Sequence, residues 1–122
     1  MRLPVQVSRV QTVGRFARPF TMIAPIVGTL AAATVAIQTQ LEAEAVRAQP
    51  LFFVLLLNVA IVITLNTASN GINQIFDIDI DRINKPERPL PMGQLTMPEA
   101  WVITLACYSF AIIFASFINV TV

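Results

Sequence analysis

The chain contains no histidine, a single cysteine, four glycines and few charges: 12% of its 122 residues are Asp, Glu, Lys or Arg. Each shortage excludes something. Without histidine the commonest general base and the usual zinc and haem ligand are missing. One cysteine excludes an internal disulfide framework and any cysteine-cluster metal site. A bound metal would therefore need oxygen ligands, which favours magnesium, calcium or manganese. The net charge is +1, and no basic tract suits nucleic acid. A soluble domain carries about 25% charged residues. A chain this small would need a largely polar surface to stay in water, and its mean hydropathy of +0.71 does not supply one.

What is present is a set of long uncharged runs. Pro19 to Leu41 spans 23 residues without a charge, Ala48 to Phe76 spans 29, and Ala100 to Val122 spans 23. A membrane-spanning helix needs about 20 mostly apolar residues, and helices satisfy their backbone polar groups internally in lipid. The sequence thus predicts an all-α membrane protein with three transmembrane helices, at about 19–38, 51–83 and 97–122. Residues 1–18 form an arginine-bearing arm. It is long for a secretory leader and lacks a clean cleavage site. Its stretch Met1–Gly14 has a weak amphipathic pattern, consistent with a surface helix or with disorder.

Arg2, Arg9, Arg15 and Arg18 precede the first span, Arg47 alone lies in the first loop, and Arg82, Lys85 and Arg88 lie in the second. Short cytoplasmic loops are enriched in Lys and Arg. The arm and the second loop are therefore expected in the cytoplasm, and the far end of the third helix outside. In the first span Ala24, Gly28, Ala32 and Ala36 recur every fourth residue, which lets another helix approach closely in lipid. Thr96 with Glu99 forms a capping-box signature for the third helix, with Pro98 in the first turn and Trp101 at interfacial depth. Three prolines (Pro86, Pro89, Pro91) and Gly93 between Asn84 and Gln94 give an extended, stiff loop, neither helical nor disordered.

The second span carries the chemistry. With Asn66 set at zero and about 100° per residue, Asn70, Asn73, Asp77 and Asp81 point to roughly 40°, −20°, 20° and 60°. Asp79 points away. Polar groups are expensive at membrane depth and usually face a cavity, a partner or a substrate path. The run from Leu51 to Asp77 is about 39 Å of helix against a hydrocarbon core of about 30 Å. Asp77 and Asp81 therefore sit at the membrane mouth, with Asn66 and Asn70 deeper. Carboxylates one turn apart can share a divalent cation, Asn73 can add a neutral oxygen, and Arg82, Lys85 and Arg88 can neutralise phosphate oxygens. Two readings stay open on these residues alone: a metal-held diphosphate head with its lipid tail in the bilayer, or an acidic helix end balanced by loop cations.

The stretch Asn73-Gln-Ile-Phe-Asp77-Ile-Asp-Ile-Asp81-Arg82-Ile-Asn84-Lys85-Pro86-Glu-Arg88-Pro89-Leu90-Pro91-Met-Gly93 resembles the first aspartate-rich motif of the UbiA superfamily of intramembrane prenyltransferases. Arg15-Phe-Ala-Arg18-Pro19, running on to Pro25, resembles the start of that family's first helix. The resemblance implies the first three helices of a bundle of about nine, whose cavity opens to the cytoplasm. It implies Asn73, Asp77 and Asp81 as magnesium ligands, Arg82, Lys85 and Arg88 as diphosphate contacts, and Asn66 and Asn70 as cavity lining. It further implies a prenyl diphosphate donor and a lipophilic acceptor, aromatic in quinone-, tocopherol- or chlorophyll-type biosynthesis. The expected location is a bacterial or archaeal inner membrane. The family's second aspartate-rich motif is not found within these residues, so the chain corresponds to the family's N-terminal third. It is expected to be inactive alone, either as a fragment or as a short protein, with further membrane protein covering its polar stripe. The alternative is a non-catalytic three-helix subunit of a larger membrane complex, respiratory or photosynthetic.

Overall fold

A computed structural model of the chain describes residues 8–42 and 51–121; Arg2, Arg47, most of the first loop and the first half of the Met1–Gly14 stretch lie outside the described residues. The described residues form five helices: α1 (Arg9–Ala17), α2 (Ile23–Glu42), α3 (Leu51–Phe76), α4 (Ile78–Asn84) and α5 (Met97–Thr121), with a 3₁₀ turn at Pro19–Met22. No strand occurs among them. Three segments are long and apolar enough to cross a membrane, Pro19–Thr39, Phe52–Phe76 and Met97–Ile118. Little of each is buried, and side chains such as Val27, Phe52, Phe53, Leu105 and Ile112 face outward, as lipid-facing residues do.

α1 is set by its ends. Ser8 accepts from the Gln11 amide at 3.2 Å, and the Gln11 side chain accepts from the Ser8 amide at 3.1 Å, a complete capping box. The helix stops because Pro19 has no N–H to continue the ladder. Arg18 takes φ 55°, ψ 66° and turns the chain into the 3₁₀ turn, whose Thr21 amide donates to the Arg18 carbonyl at 3.0 Å.

The most extensive packing is α3 against α5, followed by α2 and α1 against α3. Phe16 and Thr12, one turn apart, bury the inner face of α1. Gly71 makes this approach possible: a Cβ there would overlap Thr104 Oγ1 and stand 3.3 Å from two ring carbons of Phe16. Ala24, Gly28, Ala32 and Ala36 are all exposed, so the small-residue stripe of α2 faces away from the other described helices.

The single helix expected over 51–83 is interrupted. Asp77 has φ −88° and ψ 9°, between α3 and α4. The register nevertheless continues across it: the Asp77 amide donates to the Asn73 carbonyl at 2.9 Å and the Asp81 amide to the Asp77 carbonyl at 2.8 Å.

The loop after α4 is ordered and non-helical, as its prolines predict, but it is not extended: it folds through successive hydrogen-bonded turns. Pro89, Leu90 and Leu95 are buried, and the Leu side chains join Phe16, Ile75 and Ala100 in the core. Gln94 and Leu95 amides both donate to the Pro89 carbonyl. Gly93 adopts φ +69°, a left-handed turn suited to glycine. α5 begins at the expected capping box: Glu99 accepts from the Thr96 amide and hydroxyl, each at 2.8 Å.

Candidate functional site

The polar stripe of α3 divides into three parts with different surroundings. The deepest part holds the break between α1 and α2. Asn66 Nδ2 donates to Thr21 Oγ1 at 3.0 Å, and Asn70 Nδ2 donates to the same oxygen at 2.7 Å and to the Ala17 carbonyl at 3.3 Å. One turn further on, Gln74 Nε2 donates to the Phe16 carbonyl at 2.8 Å. These three amides satisfy carbonyl and hydroxyl oxygens freed where α1 ends, which would otherwise be costly inside the bundle. Asn70 is buried and Asn66 half-buried against the chain's own N-terminal segment, which they grip.

The middle part, Asn73 and Asp77, is exposed. Its two oxygen-bearing side chains stand one helical turn apart with no wall over them among the described residues.

The last part is Asp81, buried at 4% exposure. Its Oδ2 accepts a hydrogen bond from Arg88 Nη1, and both side chains are largely shielded from solvent. Arg82 instead turns to Asp79 on the exposed side of α4, at 2.9 Å. Lys85 is exposed at the end of α4, where its amide donates to the Asp81 carbonyl at 2.8 Å. Thus Arg88 meets the aspartate stripe, whereas Arg82 is drawn off it by the Asp79 that the helical wheel placed on another face.

A cavity of about 730 Å³ lies between α1 and the loop, with Arg15, Arg18, Phe20, Glu87, Arg88 and Pro89 among its lining. Arg15 closes one side by donating to the Glu87 carbonyl and, at 3.2 Å, to Gln94 Oε1. Arg9 reaches Glu99 at 2.8 Å. The N-terminal arginines therefore fasten α1 to the loop and to the start of α5. In the sequence they mark orientation and, for Arg15 and Arg18, the resemblance to the start of the family's first helix. Their role as fasteners has no local signature, because each partner lies more than 70 positions away. The capping box Ser8-x-x-Gln11 that starts α1 was legible, and so was Gln74, about 80° along the wheel from Asn66.

The donor set at the α3–α4 junction is entirely oxygen, on successive turns, which suits a hard divalent cation that takes its remaining ligands from water and phosphate. Among the described residues no group of three or more His, Cys, Asp or Glu comes together. The set is thus two carboxylates and an amide, and one carboxylate already carries a guanidinium. The oxygens of Asn73 and Asp77 are open to a hard cation, whereas that of Asp81 would be open only if Arg88 yielded the carboxylate.

A sequence model of the UbiA prenyltransferase family matches residues 24–122. The chain belongs to that family. Among curated relatives, the chloroplastic 2-acylphloroglucinol 4-prenyltransferase of Humulus lupulus is 47% identical over 58 residues, 48% of this chain and 14% of that protein. The digeranylgeranylglyceryl phosphate synthase of Methanococcoides burtonii is 40% identical over 60 residues, 49% of this chain and 21% of that protein. The synthase of the same name from Methanosarcina barkeri is 32% identical over 96 residues, 79% of this chain and 33% of that protein. The chain therefore spans a third or less of the length of these relatives. No solved structure matches it.

Proposed function

We propose that this chain supplies the first aspartate-rich half of a prenyltransferase site, which transfers a prenyl group from a prenyl diphosphate to a lipophilic, aromatic acceptor. The observation that carries this reading is the unbroken one-turn register of Asn73, Asp77 and Asp81 through the α3–α4 break, beside Lys85 and Arg88. Asn73, Asp77 and Asp81 would hold magnesium, which when bound stabilises the charge of the departing diphosphate. Lys85 and Arg88 contact the diphosphate oxygens, with Arg82 available once it leaves Asp79. Asn66 and Asn70, by fixing the α1–α2 break, shape the floor of the path along which the prenyl tail lies. The acceptor then attacks the allylic carbon from which the diphosphate leaves.

The relatives' names point to two acceptor classes, an acylphloroglucinol and a glyceryl phosphate; the aromatic class is proposed here. In a bacterial or archaeal inner membrane the arm and the 84–94 loop face the cytoplasm, and the C-terminal end of α5 faces outward. The exposed stripe Ala24–Ala36 of α2 and the open Asn73–Asp77 face favour a membrane-protein neighbour. That neighbour is the remaining helices of a UbiA bundle. The same exposure is what supports the second reading, a three-helix subunit of a larger respiratory or photosynthetic complex.

The test is binding of geranylgeranyl diphosphate to the full chain in lipid nanodiscs, with and without magnesium. Binding that needs magnesium and disappears in Asp77→Ala supports the site; binding indifferent to both refutes it. Turnover is expected only when the chain is joined by a polypeptide carrying the second aspartate-rich motif.

A further inference from the structure

Arg88 stands at two places at once. Its guanidinium holds the buried carboxylate of Asp81, and its side chain lines the cavity that also contains Arg15 and Arg18. Its backbone is fixed: the Arg88 amide donates to the Lys85 carbonyl at 3.1 Å, its carbonyl accepts from Met92 at 3.0 Å, and the fully buried Pro89 follows it. The side chain can therefore exchange partners while the loop stays in place.

A buried carboxylate without a partner is strongly disfavoured, and removing one member of a buried pair exposes that cost. A divalent ion and a guanidinium on the same buried carboxylate repel each other at short range. From these observations, and resting on the magnesium reading above, we infer that Arg88 is a placeholder for the metal. It neutralises Asp81 while the cation is away, and swings into the Arg15–Arg18 cavity when the cation arrives. The exchange keeps Asp81 paired in both states. It also raises the positive charge of the cavity only when the metal is loaded, which makes capture of a diphosphate depend on prior metal binding.

The placeholder makes a prediction opposite in sign to that of a purely positioning arginine. Mn²⁺ titration of the full chain in nanodiscs, read by electron paramagnetic resonance, compares wild type, Arg88→Met and Asp77→Ala. Because Arg88 must be displaced before the metal gains Asp81, removing it lifts a competing equilibrium, and Arg88→Met should bind Mn²⁺ about tenfold more tightly. Unchanged or weaker binding in Arg88→Met, with wild-type binding intact and lost in Asp77→Ala, overturns the placeholder and leaves the metal reading standing. Mn²⁺ binding by none of the three removes the metal reading and the placeholder together.

A second measurement needs no variant and so survives a folding failure of Arg88→Met. Dicarbonyl labelling of wild-type arginines, quantified by mass spectrometry, should rise several-fold at Arg88 when Mg²⁺ is added. Arg82, already 61% exposed, serves as the internal control. Labelling of Arg88 that stays constant or falls contradicts the exchange.

Discussion

Substitution of Gly71 by alanine is the most direct probe of how the three-way packing of α1, α3 and α5 is held. In an exposed helix the change would help, since alanine is favoured over glycine by about 1 kcal/mol. Here the new methyl overlaps Thr104 Oγ1 and presses on the Phe16 ring at 3.3 Å. Both neighbours are completely buried, at 0% exposure, so neither has an open direction into which to retreat. Overpacking a tight core costs about 1–3 kcal/mol. An overlap this close belongs at the upper end, which leaves a net loss of about 2 kcal/mol after the helix-propensity gain. Thr104→Ala supplies the control. The Thr104 hydroxyl is buried without a hydrogen-bond partner, so its removal alone should be nearly neutral. In Gly71→Ala/Thr104→Ala the methyl gains the vacated space. Unfolding titrations in mixed micelles should give a coupling energy of about 1–2 kcal/mol between the two sites. Additive effects, or a Gly71→Ala single variant that is more stable than wild type, would refute the account of Gly71 as the contact point.

Asn70→Asp should destabilise the chain more than Asn70→Ala, measured in the same titration. A carboxylate cannot donate to the Ala17 carbonyl or to Thr21 Oγ1, whose own proton is given to the Arg18 carbonyl. The alanine change should cost about 1–3 kcal/mol, from the oxygen left unpaired. Glu87→Cys in a Cys107→Ala background should react with an impermeant maleimide only from the cytoplasmic side, because Glu87 is exposed on the loop that follows α4; reaction only from the outer side reverses the proposed orientation. Asp81→Asn should abolish the Arg88 ion pair and lower stability in the absence of metal, whereas Asp79→Asn, on the exposed face, should change stability by less than about 0.5 kcal/mol.

The membrane class, the three membrane-length spans and the capping box at Thr96 were readable because each is written locally: in charge spacing, in run length, or in four adjacent residues. The family was readable because the motif from Asn73 to Gly93 is contiguous. What the helical wheel left undivided was the stripe itself. It places Asn66, Asn70, Asn73, Asp77 and Asp81 within one arc of about 80°, and that arc is equally consistent with a shared ligand or with separate partners. The structure separates them because Pro19 ends α1 against the deep half of the stripe, so two asparagines serve the freed oxygens of the break. Their placement depends on chain segments about 50 positions away, which periodicity does not encode. The same holds for Arg82 and Arg88. They are equivalent as loop cations in the sequence, yet Asp79 lies three residues before Arg82 and captures it, leaving Arg88 to reach back seven positions to Asp81. The motif's cations are thereby sorted by which acidic side chain each can reach. That sorting places a single guanidinium on the buried carboxylate where the metal reading needs a vacancy.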